Sequence, residues 1–422
     1  MLSAAENEKL TRVGAGTPMG EALRRWWLPA CLSEELPEPD GAPVRVRLCG
    51  EDLIAFRTGD GTVGLVDAYC PHRRAPMFFG RNEACGLRCV YHGWKFDRSG
   101  ACVDMPSEPP DSLFKSKVRI TAYPTHEAGG IVWAYLGPPA TRPAAPDYEF
   151  CRVPSEQLLM SKNLQRCNWV QALEGGLDSA HATILHASNK GDLSFLADAE
   201  SLIPRLDVER TGYGYWYTGI RTLGTQLWVR VYQYVMPATQ LRGTIEGGFK
   251  RPTELPRIDG HIWVPIDDEH TWVYNFMFSA DPAQPVSRTE LMRLEKMFGR
   301  GPDDLNPDYT LKANAANDYF IDRQKQKTHN FTGIAGVNTQ DSALQEGMGR
   351  IVDRTQEHLG TSDRAIIVMR QLLLEAADDV AAGRTPRGTN PAEYRAVRPA
   401  DHLIPVGRDW QETIPHAVVA RF

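Results

Sequence analysis

Two short clusters of cysteine and histidine are the residues of this chain best suited to chemistry. The first pairs Cys70 with His72, and the second pairs Cys89 with His92. Two thiolates and two imidazoles can hold an asymmetric [2Fe–2S] cluster, in which the cysteines bind one iron and the histidines bind the other. Neutral imidazoles leave less negative charge on such a cluster than four thiolates, so its reduction becomes easier. The pattern therefore predicts a site that accepts electrons and passes them on.

A structural zinc site is the alternative for these four residues, because two cysteines and two histidines also bind zinc. A typical zinc finger separates a cysteine pair from a histidine pair, whereas each cluster here mixes the two types, as C-x-H and C-x₂-H. Both clusters also continue into turn-forming or aromatic residues, as expected of two loops that close over a cofactor. Cys85 could compete as a ligand, but only Cys89 has a histidine three positions later. The spacing favours the iron–sulfur cluster.

A second set of possible ligands lies in residues 167–186, for which the sequence predicts a helix. Glu174, Asp178 and His181 stand at i, i+4 and i+7, so they share one helical face. His186 lies about 140° further round an ideal helix than His181, so both can bind one metal only if the helix bulges or frays between them. Two histidines and a carboxylate form the triad of non-haem iron oxygenases. The carboxylate candidates lie between residues 340 and 358: Asp341, Glu346, Asp353 and Glu357.

Length and composition indicate an ordinary globular protein. The chain has 422 residues, enough for two or three domains, with 42% hydrophobic and 24% charged residues. A net charge of −6 gives no indication of nucleic-acid binding. Charges at the N-terminus argue against a signal peptide, and no stretch reaches the ~18 apolar residues of a membrane span. We expect a cytoplasmic enzyme that binds neither nucleic acid nor membrane.

The sequence predicts an α+β fold in two main parts. Short alternating strands between about residues 44 and 137 predict an all-β domain that carries both Cys/His clusters. Aromatic and β-branched runs in the second half predict an antiparallel sheet flanked by helices, a helix-grip-like arrangement. Helices are predicted at 19–27, 287–298 and 362–383. The predicted division is a helical segment 1–40 that packs on the catalytic domain, an iron–sulfur domain 41–140 and a catalytic domain 141–422.

The chain resembles the oxygenase (α) subunit of a Rieske non-haem iron oxygenase and is most similar to the phthalate dioxygenase branch. The matching segments are the two Cys/His loops, residues 168–186 and residues 333–363. The resemblance implies two ligand sets: Cys70, His72, Cys89 and His92 for a [2Fe–2S] cluster, and His181, His186 and Asp341 for a mononuclear Fe(II).

The resemblance also implies an assembly and a redox partner. Subunits of this family form a head-to-tail homotrimer, or a stacked pair of trimers, in which Asp178 would bridge His181 to His92 of the neighbouring subunit. Such a ring joins two different surfaces of the same chain. Electrons would come from NAD(P)H through a separate reductase of the flavin and ferredoxin type, since no nicotinamide or flavin motif appears in this sequence.

The implied reaction uses O₂ to hydroxylate an aromatic substrate, by cis-dihydroxylation, monohydroxylation or O-demethylation. The phthalate branch suggests an aromatic carboxylate, such as a phthalate or benzoate derivative, for which arginines are natural partners. Ser179, Arg205 and Arg242 are the predicted substrate contacts. Further arginines in the sheet region are Arg210, Arg221 and Arg230. The alternative function is a non-catalytic Rieske-type electron carrier with an appended ligand-binding domain, which would need only the iron–sulfur cluster.

Overall fold

The computed structural model describes residues 1–187, 204–243 and 257–422. Its helices are α1 (Ala4–Thr11), α2 (Pro18–Leu23), α3 (Trp169–Leu177), α4 (Arg288–Met297), α5 (Arg323–Thr328), α6 (Val337–Gly347), α7 (Arg364–Ala381) and α8 (Trp410–Thr413). Within these described ranges, none of the helices combines the length and the apolar character that crossing a bilayer requires.

Three small antiparallel sheets form the N-terminal part of the chain. Their strands are β1 (Trp27–Leu32), β2 (Val44–Leu48), β3 (Glu51–Arg57), β4 (Val63–Asp67), β5 (Arg81–Glu83), β6 (Gly86–Arg88), β7 (Lys95–Phe96), β8 (Cys102–Asp104), β9 (Ala122–Tyr123), β10 (Thr125–Ala128) and β11 (Ile131–Tyr135). The sheet orders are β2-β3-β4-β9, β5-β6-β7-β8 and β1-β11-β10. The predicted all-β region is confirmed.

One large antiparallel sheet forms the core of the second part. Its strands are β12 (Leu158–Gln165), β13 (Arg205–Arg210), β14 (Gly214–Leu223), β15 (Gln226–Val235), β16 (Thr239–Arg242), β17 (Arg257–Pro265), β18 (Thr271–Ser279) and β19 (Ala400–Pro405). The order is β12-β18-β17-β16-β15-β14-β13, with β19 paired to β15. The α+β class with an antiparallel, helix-flanked second part is confirmed.

The large sheet has two different apolar faces because side chains alternate along each strand. On one face, Tyr215 and Tyr217 of β14 belong to the main core, which also includes the apolar side of α7. The Tyr215 hydroxyl donates to the Ala365 carbonyl of α7 at 2.9 Å. On the opposite face, Ile220 of β14 packs in a separate cluster with Trp410 of α8. Residues 215, 217, 219 and 221 therefore face α3 and α7.

Two predicted helices are shorter than expected. The helix predicted at 19–27 ends at Leu23, and Trp27 begins a strand that pairs with β11. The helix predicted at 167–186 ends at Leu177, and a short 3₁₀ turn follows at His181–Thr183. Asp178 ends α3 because its side chain accepts a hydrogen bond from the Ala180 N–H at 2.7 Å, which competes with helical pairing. This break turns residues 181–186 away from the axis of α3.

Glu174 does not share a face with the possible metal ligands, so that part of the helical prediction is wrong. Its carboxylate is buried and accepts hydrogen bonds from Arg354 at 2.8 and 3.0 Å and from Arg370 at 2.7 Å. These ion pairs join α3 to α7 and to the segment before it. Burial opposes ionisation, but the two guanidinium groups lower the pKa of Glu174 below its usual value.

We expect Glu174→Gln to lower the free energy of unfolding by about 3–5 kcal/mol, because the buried Arg354 loses its carboxylate partner and Arg370 keeps only Glu357. Chemical denaturation at neutral pH measures the change. Since the folded pKa of Glu174 is lowered, its contribution is present above the unfolded pKa and is lost as the pH falls through the folded pKa. Glu375→Gln is the matched control, because that exposed carboxylate pairs with Arg210 on the surface and contributes little. Equal stability of the two variants would contradict the prediction.

Candidate functional site

The two Cys/His clusters lie on loops with the same backbone geometry. The Cys70 carbonyl accepts from the Arg74 N–H at 2.9 Å, and the Cys89 carbonyl accepts from the Gly93 N–H at 3.0 Å. The fourth residue after each cysteine has a left-handed backbone, with φ of 60° at Arg74 and 78° at Gly93. Each cysteine N–H also donates at 2.8 Å to the carbonyl five residues later. Two matching turns thus present one cysteine and one histidine each.

These turns bring the four side chains together. The imidazole centroids of His72 and His92 are 4.4 Å apart, and both cysteines are buried. The Nδ1 atoms of both histidines are buried with no hydrogen-bond partner in the described parts of the chain. Burial raises the pKa of Cys70 to about 12, so a nearby cation is needed to hold it as a thiolate. These donors fit a two-iron cluster held by two thiolates and two Nδ1 atoms.

Cys85 lies away from the two buried cysteines, whereas Trp94 packs directly on one of the histidines. Cys85 is exposed in the turn between β5 and β6, whereas Cys89 is buried beside Cys70. The Trp94 indole stacks on the His72 imidazole, with centroids 4.3 Å apart and planes 10° from parallel. Its Nε1–H donates to the Ser107 hydroxyl at 2.8 Å, which fixes the ring. Trp94 therefore covers one face of His72.

The second site joins the break after α3 to the middle of α6. The Oδ1 atom of Asp341 lies 3.4 Å from Nε2 of His181 and 3.3 Å from Nε2 of His186. One ligand atom from each of these residues lies within 4.8 Å of the other two. The three side chains predicted to hold the mononuclear iron are thus together, although α6 is remote in sequence from both histidines.

The outer nitrogens of both histidines face hydrogen-bond acceptors. His181 Nδ1 lies 3.3 Å from Asp178 Oδ2, and His186 Nδ1 lies 2.7 Å from Gln340 Oε1. The Gln340 amide is oriented by its own donation to the Ile334 carbonyl at 2.8 Å. Protons on both Nδ1 atoms leave lone pairs on both Nε2 atoms, directed at a carboxylate oxygen. Three converging ligand atoms of this kind suit a bound cation, and two imidazoles with one carboxylate suit Fe(II).

The pKa shifts of His181 and Asp341 also favour a cation site at this position. Burial opposes protonation of His181, but the carboxylates of Asp178 and Asp341 raise its pKa to about 10. Burial likewise opposes ionisation of Asp341, but the two imidazoles hold its pKa well below the usual range. Both shifts indicate that positive charge is stabilised between these side chains.

The three rival carboxylates have other partners. Glu346 accepts from the Tyr319 hydroxyl at 2.6 Å and from the Arg166 N–H at 3.0 Å. Asp353 is exposed and caps a short turn, and Glu357 pairs with Arg370. Asp341 is the candidate that reaches the two histidines.

Gln340 contacts the site but was missed in the sequence, because a glutamine before an aspartate is not a recognisable ligand pattern. We expect Gln340→Leu to lower affinity for the mononuclear iron by about 10–100-fold, since His186 loses the acceptor that fixes its tautomer. Titration of the metal-depleted protein with Fe(II) measures this change. Gln324→Leu, on the exposed side of α5, is the control. Unchanged iron affinity in Gln340→Leu would exclude this positioning role.

The predicted substrate contacts lie in different surroundings. Ser179 is buried next to Asp178, with its hydroxyl 3.4 Å from the Tyr232 hydroxyl. Arg242 lies at the end of β16 and pairs with Asp259 at 3.0 Å. Arg205 is 68% exposed and pairs with Asp207, and its strand partner Ile220 belongs to the opposite face of the sheet. The structure brings Ser179 beside the metal ligands but does not bring Arg205 there, because alternation along β13 directs its side chain to the other face.

Tyr232 and His261 are further polar residues of this region that sequence patterns did not single out. Burial, followed by the positive charges of Arg242 and Arg300, lowers the pKa of His261 well below its usual value. This imidazole is therefore neutral, and its Nδ1 faces the Asn275 amide oxygen at 2.8 Å. Because His261 is neutral, the positive charges of this region are carried by its arginines.

Comparison with known proteins assigns both halves of the chain. Residues 26–124 match the Rieske [2Fe-2S] domain family, and residues 134–420 match the LigXa C-terminal domain-like family. The phthalate 4,5-dioxygenase oxygenase subunit of Pseudomonas putida is 41% identical over 92% of this chain and 89% of its own length. The 3-chlorobenzoate-3,4-dioxygenase oxygenase subunit of Comamonas testosteroni is 35% identical over 97% of each chain. The solved structure of Pseudomonas putida CBB5 NdmA with caffeine shares the fold, with a TM-score of 0.64, 17% identity and coverage of 93% of this chain and 99% of its own.

Proposed function

This chain belongs to the phthalate dioxygenase-like branch of the Rieske non-haem iron oxygenases and is the oxygenase subunit of such a system; from this premise we propose which residues carry the reaction and on what substrate. We assign one cluster iron to the two cysteines and the other to the two histidines of the Cys/His loops. We assign the mononuclear Fe(II) to His181, His186 and Asp341. The convergence of the two Nε2 atoms on Asp341 Oδ1 is the observation that carries this proposal.

The residues around the mononuclear site hold its geometry. Fe(II) held by His181, His186 and Asp341 would supply the activation of O₂. Asp178 and Gln340 keep the Nδ1 protons in place, so both histidines present Nε2 as a ligand. The 3₁₀ turn at His181–Thr183 sets the distance between the two imidazoles. Burial of His186 and of Ser179 keeps bulk water from one side of the site.

We propose a head-to-tail homotrimer, or two stacked trimers, in which Asp178 of one copy contacts His92 of the next. Exposed apolar side chains occur in both parts of the chain. In the part that carries the Cys/His loops they include Tyr69, Phe79, Val90, Tyr91, Leu113 and Phe114. In the part that carries the mononuclear site they include Ile184, Phe320, Phe331, Leu344 and Met348. Two different apolar surfaces on one chain support a heterologous contact that closes into a ring.

The spacing of residues within one chain supports the same assembly. Among the described residues, no hydrogen bond, ion pair or ring contact joins His72 or His92 to Asp178, His181 or His186. Asp178 keeps about a quarter of its side-chain surface accessible in the single chain. A second copy can therefore reach this carboxylate while its Oδ2 remains beside His181.

We further propose that electrons come from NAD(P)H through a separate reductase of the flavin and ferredoxin type. The relatives described above are named as oxygenase subunits, which supports a multicomponent system.

The division into residues 1–40, 41–140 and 141–422 also stays a proposal, supported by the ion pair between Lys9 of α1 and Asp378 of α7. A cytoplasmic location remains a prediction.

An aromatic carboxylate is the substrate class we propose. Two relatives that align over most of this chain are named for phthalate and for 3-chlorobenzoate. Several arginines of the large sheet lie in the half of the chain that carries the mononuclear site, and guanidinium groups bind carboxylates in a bidentate manner.

The decisive experiment combines metal analysis with turnover. The purified chain should contain three irons and two acid-labile sulfides. With a compatible reductase and NADH, it should consume O₂ when phthalate, benzoate or a substituted benzoate is added, and the product mass should increase by oxygen. Two irons per chain would instead indicate an electron carrier. A fully loaded protein that consumes no O₂ with any aromatic substrate would refute the oxygenase proposal.

A further inference from the structure

The two carboxylate oxygens of Asp341 have different neighbours. Oδ1 is the atom that faces both imidazoles, at 3.4 Å from Nε2 of His181 and 3.3 Å from Nε2 of His186. Oδ2 accepts a hydrogen bond from Nδ2 of Asn338, with the two atoms 3.4 Å apart. Oδ1 is therefore directed at the centre of the ligand set, whereas Oδ2 is directed at an amide on the same helix.

Asn338 precedes Asp341 by three residues in the first turn of α6, so the two side chains are neighbours on the helix surface. A carboxylate only accepts hydrogen bonds, so the amide must present its N–H side to Oδ2. The amide oxygen of Asn338 is buried and has no hydrogen-bond partner among the described residues. Within the described ranges of the chain, the side chain of Asn338 thus bonds to the carboxylate of Asp341 alone.

Helix formation does not explain this asparagine. Asparagine has a lower helix propensity than alanine or leucine, and its usual role near a helix start is to cap free N–H groups. The cap position of α6 is occupied by Gly336, which has no side chain to cap with. The amide of Asn338 is directed at a metal-ligand candidate instead, so we look for its role at the site rather than in the helix.

The start of α6 is held in place, which fixes the backbone of Asn338. Its N–H donates to the Phe298 carbonyl at 3.0 Å. Gly336 and Gly299 both have left-handed backbones, with φ of 83° and 80°. They pack so closely that a Cβ on Gly336 would lie 2.7 Å from the Cα of Gly299. The amide donor is therefore presented to Oδ2 from a fixed position.

A hydrogen bond to one carboxylate oxygen affects how the carboxylate binds a metal. Aspartate can bind a cation through one oxygen or through both. An N–H that donates to Oδ2 competes with coordination of that atom and so favours binding through Oδ1. A carboxylate bound through both oxygens would occupy a position that two imidazoles and one oxygen leave open.

We propose that Asn338 is a positioning residue that makes Asp341 bind the mononuclear iron through Oδ1 alone and thereby keeps one further coordination position open. The ligand for that position is a small molecule of the class of O₂ or water. This inference rests on the ligand set of the proposed function, and it adds the residue that sets how the carboxylate binds.

The test detects the number of positions left open on the iron. Nitric oxide binds Fe(II) in place of O₂, and water bound to the same iron broadens the EPR signal of the adduct when the solvent is H₂¹⁷O. In Asn338→Leu, the Kd for Fe(II) should be unchanged or tighter, because Asp341 can then contribute both oxygens. The broadening by H₂¹⁷O should decrease, and substrate-dependent O₂ consumption should fall about 10-fold.

Two further variants complete the comparison. Asn338→Ala removes the amide at a helix position that alanine favours, so it serves if Asn338→Leu does not fold, and it should give the same spectra. Gln371→Leu removes an exposed amide of α7 that contacts Arg210, and it should match the wild type in all measurements.

Unchanged broadening in the Asn338 variants would overturn the inference. A weaker Kd for Fe(II) in both variants would also overturn it, because a contact that only supports the fold would have that effect. Either result concerns Asn338 and leaves the oxygenase function intact. A wild-type protein that binds no iron at Asp341 would instead refute the proposed ligand set together with this inference.

Discussion

Replacing Asp178 with asparagine is expected to lower substrate-dependent O₂ consumption about 100-fold while both metal centres remain loaded. An asparagine keeps the size of the side chain, and its carbonyl can still accept from the Ala180 N–H. Its amide cannot replace the charge of the carboxylate, which lies beside His181 Nδ1 at 3.3 Å. If Asp178 also contacts His92 of a second copy, the variant loses that link as well.

Three measurements distinguish this outcome from simple loss of structure. Iron analysis and the visible spectrum establish that the cluster and the mononuclear iron are present, and gel filtration establishes the assembly. Single-turnover experiments with the reduced protein then measure how fast the cluster is reoxidised in the presence of substrate. Asp207→Asn is the control and should keep full activity, because Asp207 is a half-exposed carboxylate of β13 that pairs with Arg205. Full coupled turnover in Asp178→Asn would show that the carboxylate does not link the two centres.

Asp341→Ala is expected to remove the mononuclear iron and abolish hydroxylation. The iron content should fall from three to two per chain, because two imidazoles alone bind Fe(II) weakly without the neutralising carboxylate. The Cys/His loops belong to a different apolar cluster, so the visible spectrum of the iron–sulfur centre should persist. Iron analysis and O₂ uptake with the reductase measure the two effects.

Asp353→Asn is the matched control for this prediction. Asp353 was an equal candidate in sequence, but it is exposed and its side chain caps the turn at Thr355. The control should retain three irons and full turnover. A loss of iron in Asp353→Asn, or three tightly bound irons in Asp341→Ala, would refute the assignment of the carboxylate ligand.

The iron–sulfur loops were predictable because their geometry is local. Each cysteine lies within three residues of its histidine, and the turn that joins them is closed by hydrogen bonds over four and five residues. A left-handed backbone position follows each cysteine, and in the second loop it is filled by Gly93. Residue types at short spacing therefore predicted the candidate donors of this site. The alternating strands of the first part were predictable for the same reason.

The mononuclear site was only half predictable. His181 and His186 lie close in sequence, but regular helical geometry would have separated them, and only the break at Asp178 brings both imidazoles to one carboxylate. The choice of Asp341 over Glu346 depends on how α6 packs against α3. The same packing of α6 against α3 places Gln340 beside His186, a contact that the sequence did not indicate.

Buried charges show most clearly what the sequence by itself determined and what the tertiary structure decided. The sequence determined the residue types, the short turns and the alternation of the strands, because these depend on neighbours along the chain. It placed Glu174 on the face of Asp178 and His181, yet packing directs that carboxylate to Arg354 and Arg370. It offered five similar arginines, and packing gave carboxylate partners to Arg205, Arg210, Arg230 and Arg242. The partner of a buried charge comes from distant segments, so only the folded chain distinguishes Arg221 from the others.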